Sequence, residues 1–321
     1  MLVLAAAVVA LAAVPSHAST KQIRVVTIHY RAHNGVARKA YVVLPAWYDA
    51  ADDPPIPLII SPHGRGVDAL ANARLWGALP ARGAFAVVSP EGEGRKLKLY
   101  SWGSPGQVDD LARMPRILRV TLPWLHVDRS RIYAFGGSMG GQEALLLLAR
   151  HPHLLAGAAA FDAVTDLARQ YRDFPQLGCK GACAKAFHGR FGRRLQELAR
   201  TEIGGSPTSR PAAFAERSPL TYAATIAQSC VPLQLWWSMK DKIVLDQSQQ
   251  TGALYSRLDE LNPDAPVTAF IGTWRHSAEM RASTRLPTAL AAFGLLPPVA
   301  HPRTGLHEIV PPDPTGCAGA P

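Results

Sequence analysis

The chain has 321 residues, 48% of them hydrophobic and 18% charged, which suffices to bury one large core or two modest ones and excludes a disordered or fibrous protein. Its 26 glycines and 27 prolines exceed what a helical bundle accommodates and point to many turns between strands and helices. Lys and Arg outnumber Asp and Glu by 34 to 24, a formal +10 that would attract nucleic acid, an acidic polymer or an anionic surface without selecting among them.

Met1 to Val14 carry no charged group and are almost all Ala, Val and Leu, and Ser16 and Ala18 flank His17 as a signal peptidase requires. Residues 1–18 therefore read as a secretory signal peptide, cleaved after Ala18, with a secreted product, extracellular or periplasmic. No later segment holds 18 uninterrupted apolar residues, so no transmembrane anchor is expected. The four cysteines, Cys179, Cys183, Cys230 and Cys317, can form two disulfides in three ways. Cys179 and Cys183 have the spacing of half a zinc knuckle, but no second pair or histidine cluster completes it, and neither metal nor organic cofactor is expected.

Val25 to His29 and Ala40 to Leu44 read as an opening hairpin around Asn34 and Gly35. Pro57 to Ser61 and Ala84 to Ser89 are short apolar strands enclosing a helical pattern from Asp68 to Leu79. A helix over Val108 to Val120 precedes the strand Arg131 to Gly136, which feeds directly into the helix Glu143 to Arg150. Repetition of this unit predicts an α/β fold, with a mostly parallel central sheet and helices on both faces. Ala156 to Phe161 is a further strand, followed by a polar and basic insertion over about 166–218. Core strands resume at Pro232 to Trp237 and Pro266 to Ile271, with a helix from Ala278 to Phe293. Residues 19–296 are expected to form one catalytic domain with this insertion as a small lid, and 297–321 a Pro/Gly-rich tail.

Gly136-Gly137-Ser138-Met139-Gly140 lies between a predicted strand and a predicted helix, where a sharp elbow would raise Ser138 above the sheet. A serine hydroxyl needs a base, and the base an orienting acid. Asp241 follows the strand ending at Trp237 and His276 follows the strand ending at Ile271, giving the order Ser, Asp, His at successive strand ends. Asp246 is the alternative acid, unless it caps the helix containing Gln249 to Leu258. The oxyanion donors are expected to be the Met139 amide and one from Ser61-Pro62-His63-Gly64-Arg65-Gly66, with Arg65 favoured over Gly64 and His63 read as structural. Trp236 and Trp237 must face opposite sides of their strand, which leaves Trp274 and Trp102 as substrate contacts at the lip or as buried packing.

Residues 38 to 293 resemble the α/β-hydrolase superfamily, in particular the catalytic domain of prolyl oligopeptidase-type enzymes and their secreted single-domain esterase relatives, among them feruloyl esterases and polyhydroxyalkanoate depolymerases. The resemblance rests on His63-Gly64, the Ser138 elbow, Arg217-Ser218-Pro219-Leu220, Asp241-Lys242-Ile243-Val244 with Gln247-Ser248, and Glu202 to Pro207. It implies Asp241 as the acid and His276 as the base. With no β-propeller expected between Ala18 and His63, it implies a serine esterase acting through an acyl-enzyme on an aromatic or polymeric ester, with a peptidase or amidase as the alternative. A non-catalytic binding protein on the same fold is a third reading. The six cations Lys180, Lys185, Arg190, Arg193, Arg194 and Arg200 in the insertion face only Glu197 in charge. They lack the aromatic pattern of a nucleic-acid module, so the expected partner is at most an anionic surface, and the product is expected to be a monomer.

Overall fold

The computed structural model describes residues 22–92, 102–178, 180–181, 184–185, 188–298, 305–311 and 317. The expected signal peptide and the Cys179 and Cys183 pair lie outside them. Among the described residues one sheet contains β1 (Ile23–Arg31), β2 (Ala37–Pro45), β3 (Ile56–Ile60), β4 (Ala86–Pro90), β5 (Val127–Gly137), β6 (Gly157–Phe161), β7 (Leu233–Ser238), β8 (Val267–Gly272) and β9 (His307–Ile309), in the spatial order 1-2-4-3-5-6-7-8-9. The pairs from β4 through β3, β5, β6 and β7 to β8 are parallel, and antiparallel strands close both edges.

Strands β3, β4, β6 and β7 are buried along their whole length, which explains why they read as continuous apolar runs rather than alternating ones. Their alternation survives in which face each residue joins. Leu58, Ile60, Ala86, Val88, Ala158, Ala160 and Trp237 pack into one core layer, while Ile59, Val87, Ala159, Phe161 and Trp236 pack into the other. Trp236 thus lies opposite Trp237, stacked between Phe161 at 5.3 Å and Phe270 at 3.8 Å between ring centroids.

Helical predictions change in extent: the helix expected from Glu143 begins at Met139, that expected over Gln249 to Leu258 runs Thr251–Leu261, and three others change more. The expected helix Val108 to Val120 is two helices, Pro105–Ala112 and Met114–Thr121, with Arg113 at the break and Pro115 in the first turn of the second. That from Asp68 to Leu79 is regular only over Ala69–Arg74, capped by the Asp68 carboxylate on the Ala71 N–H. The one from Ala278 to Phe293 begins only at Leu286, with Pro287 in its first turn. The tail does more than extend the chain: β9 pairs with β8, and Cys317 is disulfide-bonded to Cys230, 87 residues away. No described helix is long and apolar enough to cross a membrane.

The insertion carries the helices Leu167–Asp173, Phe191–Ile203 and Pro211–Ala215. Leu195, Leu198, Ala199 and Ile203 bury one face of the middle helix, and Arg193, Arg194 and Arg200 are exposed on the other. Leu195, Ala199 and Ile203 join Phe174, Phe214, Val164 and Met139 in a third apolar cluster, which seats the insertion beside the start of the helix Met139–Arg150.

Candidate active site

Ser138, Asp241, His276 and the loop 61–66 each follow the carboxyl end of a parallel strand, the edge where open α/β sheets bind ligands. Ser138 ends β5 with φ 59° and ψ −127°, a backbone state that costs a side-chain-bearing residue roughly 1–3 kcal/mol and so must be imposed by its surroundings. Its N–H donates to the Phe161 carbonyl at 2.8 Å. A Cβ on Gly136 would strike the Gly140 carbonyl and one on Gly140 would strike the Pro62 carbonyl, so both glycines are required for the tight reversal. The helix Met139–Arg150 starts directly after Ser138, and its first amides have no acceptor within the helix.

Asp241 and His276 meet. His276 Nδ1 lies 2.7 Å from Asp241 Oδ2. The acid is held from below by the N–H groups of Ile243 (2.8 Å) and Val244 (3.2 Å) on Oδ1 and by the Gln247 amide (3.2 Å) on Oδ2. Gln247 is in turn fixed by the Thr251 hydroxyl at 2.8 Å. Asp246 is instead exposed and paired with Arg169 at 2.9 Å. The loop that carries His276 packs on the elbow: a Cβ on Gly137 would lie 3.1 Å from the Ser277 hydroxyl, one residue beyond His276 as Gly137 is one before Ser138.

The loop after β3 lies on the other side of Ser138. A Cβ on Gly64 would stand 3.6 Å from the Gly137 carbonyl and 3.8 Å from Ser138 Cβ, which brings the Gly64-Arg65 backbone alongside the elbow. His63 braces this loop. Its Nε2 accepts from the Gly92 N–H at 3.0 Å, which leaves Nδ1 protonated to donate to the Gly64 carbonyl at 3.0 Å. Complete burial pushes its pKa down, favouring this neutral form. The Arg65 side chain turns away into an ion pair with Glu202 of the insertion at 2.6 Å, both side chains at most 5% exposed, beneath the Trp102 ring at 5.1 Å. Trp102 is itself only 4% exposed and packs on Phe174 at 5.2 Å. Trp274 is 8% exposed, with its indole N–H on Asp162 at 2.8 Å.

Asp162, at the end of β6, is the residue that motif reasoning passes over. One carboxylate oxygen accepts from the Ser238 N–H at 2.8 Å, and the other from the Trp274 indole and the Ser277 N–H at 2.7 Å. It thereby ties the Asp241 loop and the His276 loop to one point. Its position directly after Ala-Ala-Ala-Phe, matching the strand-end placement of Asp241, was the available signal. Ligand atoms of Asp162, Asp241 and His276 lie within 4.8 Å of one another, the one such group among the described residues, and N–H donors already occupy both oxygens of Asp162.

Burial, and then the neighbouring Asp241 charge, push the Asp162 pKa up to about 6. A raised folded-state value favours the protonated form in the fold. The resulting stabilisation is complete below the unfolded value of about 4 and is lost as pH rises through about 6. Asp162→Asn, which cannot titrate, is therefore expected to gain on the wild type by up to about 3 kcal/mol between about pH 4 and pH 7. Denaturant unfolding of both proteins at the two pH values measures this, and a pH-independent difference would contradict it.

The sequence model of the prolyl oligopeptidase family matches residues 106–182, a segment that includes the Ser138 elbow. No curated protein matches the sequence. Among solved structures, the acylaminoacyl peptidase of Pyrococcus horikoshii aligns over 85% of this chain with TM-score 0.61 and 16% identity, and the chain spans 41% of that enzyme's length. An S-formylglutathione hydrolase from Staphylococcus aureus aligns over 85% of this chain and 99% of its own, with TM-score 0.62 and 13% identity. An esterase bound to a ligand aligns over 87% of this chain and 82% of its own, with TM-score 0.58 and 18% identity. The expected resemblance is borne out at the level of the fold.

Proposed function

We propose that this chain, which has the α/β-hydrolase fold, is a secreted serine hydrolase that cleaves acyl bonds through a covalent intermediate on Ser138. The observation that carries the reading is the 2.7 Å contact of His276 with Asp241, on a loop packed against the strained Ser138 elbow. In the proposed reaction His276 Nε2 takes the hydroxyl proton as Ser138 Oγ bonds to the acyl carbon. The Met139 and Arg65 amides donate to the carbonyl oxygen as it becomes negative. The bond to the leaving group then breaks, His276 returns the proton to the departing nitrogen or oxygen, and water repeats the sequence to release the acid. The Cys230–Cys317 disulfide supports an oxidising compartment.

For the scissile bond, the order expected from sequence is reversed. Peptide or amide cleavage comes first, because the matching family is one of oligopeptidases and its match covers the nucleophile segment. Carboxylic-ester cleavage is the second reading, favoured by the S-formylglutathione hydrolase and the esterase, of which this chain spans 99% and 82%. Aminoacyl 4-nitroanilides and 4-nitrophenyl esters, each scored against its uncatalysed hydrolysis, separate the two. Anilide turnover that Ser138→Ala removes supports the first reading; turnover of esters alone supports the second; turnover of neither sinks both.

A further inference from the structure

A cleft of about 460 Å³ opens on the flank of His276. Lys240, Lys242 and Arg275 line it together with Ile243, Trp274 and His276 itself. Its charge is one-sided. The three cations are exposed, and among the described residues none of them makes an ion pair. The carboxylates nearest in the chain are engaged elsewhere: Asp241 is buried and holds N–H donors from its own loop, Asp246 pairs with Arg169 and Glu279 with Arg285. Trp274 and Ile243 add an apolar wall on which a ring or aliphatic stem can rest.

The position of the cleft decides which part of a substrate it receives. His276 Nδ1 is committed to Asp241, so Nε2 is the nitrogen that hands the proton to the departing atom. The departing group must therefore touch His276, which also lines the cleft.

Building on the serine-hydrolase reading, we infer that this cleft is the leaving-group site and that it selects leaving groups bearing a carboxylate. For amide cleavage the group is an amino acid or short peptide with a free C-terminus; for ester cleavage it is a hydroxy acid. Both place one anion among three cations with no competing acid on the lining, where charge-assisted hydrogen bonds are strong and salt weakens them.

The test uses two matched pairs, 4-aminobenzoate with 4-aminobenzamide and 4-hydroxybenzoate with 4-hydroxybenzamide. Calorimetric titration of Ser138→Ala protein is expected to show each carboxylate bound about tenfold tighter than its neutral partner at low salt, the preference shrinking as salt is raised. Adding Lys242→Ala and Arg275→Ala, both at exposed positions, is expected to abolish the preference, with circular dichroism confirming the fold. With Ser138 intact, the ratio of kcat/KM for the acetyl derivatives of each carboxylate over its amide partner is expected to fall about tenfold in the same double variant. The amino pair and the hydroxy pair separate the two sources of leaving group. Equal binding of charged and neutral partners, or a ratio unmoved by the double variant, overturns the inference and leaves the cations as compensation for the buried Asp162 and Asp241. If nothing is hydrolysed, the reaction reading fails while the titration still decides whether the cleft takes a carboxylate.

Discussion

Exchange of Ser138 for alanine is expected to lower kcat about a millionfold on any substrate the protein turns over, leaving a residue of about a thousandfold over water from substrate positioning and backbone donors. The residues act as one device, so the losses will not add: His276→Ala alone is expected to cost about as much, and the double variant no more than either. The fold should survive. Alanine keeps the same backbone demand at φ 59°, and the bond that holds the elbow comes from the main-chain N–H to Phe161, not from the hydroxyl. Single-turnover kinetics together with labelling by a serine-reactive phosphonate measure the loss. Labelling of Ser138→Ala at the wild-type rate would place the nucleophile elsewhere.

What could be read from the sequence was what local pattern encodes. Ser138, Asp241 and His276 each follow a short, largely apolar run, broken only by Gln234 in β7 and Thr268 in β8, and such runs are the signature of strands in a covered parallel sheet, so their ends mark its ligand edge. Asp162 holds the same kind of position, but its partners Ser238, Trp274 and Ser277 are more than 70 residues away, and no motif announces a carboxylate whose work is to receive three N–H groups. Distance along the chain also hid the Arg65–Glu202 pair: the loop after β3 offered a backbone amide to reasoning by motif, while the destination of its side chain depended on how the insertion folds back.

The misjudged extents have local causes that were visible but outweighed. Pro115 and Pro287 each stand in the first turn of a helix, where a missing N–H costs nothing, and hydrophobic spacing carried the predicted helices straight past them. Strand β9 is three residues long in a proline-rich stretch, too short to show a period, and is fixed by pairing with β8 and by the disulfide near it. Trp102 and Trp274 were open to two readings because an aromatic near a cleft and an aromatic in a core look alike in sequence; their exposures of only 4% and 8% are set by neighbours from distant segments, and Trp274 still keeps an edge on the cleft beside His276.

Asp241→Asn is expected to lower kcat about ten-thousandfold without unfolding the protein, through the tautomer of His276. Oδ1 of Asp241 accepts from the Ile243 and Val244 N–H groups, and an asparagine will keep its carbonyl oxygen there. Its NH2 then faces His276 Nδ1 in place of Oδ2, and the ring must accept at Nδ1 and carry its proton on Nε2. An imidazole protonated at Nε2 cannot take the proton of Ser138. Asp162 offers no substitute, since its two oxygens are engaged with Ser238, Trp274 and Ser277. Steady-state kinetics with the substrate class identified by the anilide and ester comparison, alongside a proton NMR spectrum of the imidazole N–H resonances, report both the rate and the tautomer. A loss smaller than about tenfold with the Nδ1 proton retained would mean that a group other than Asp241 orients the base.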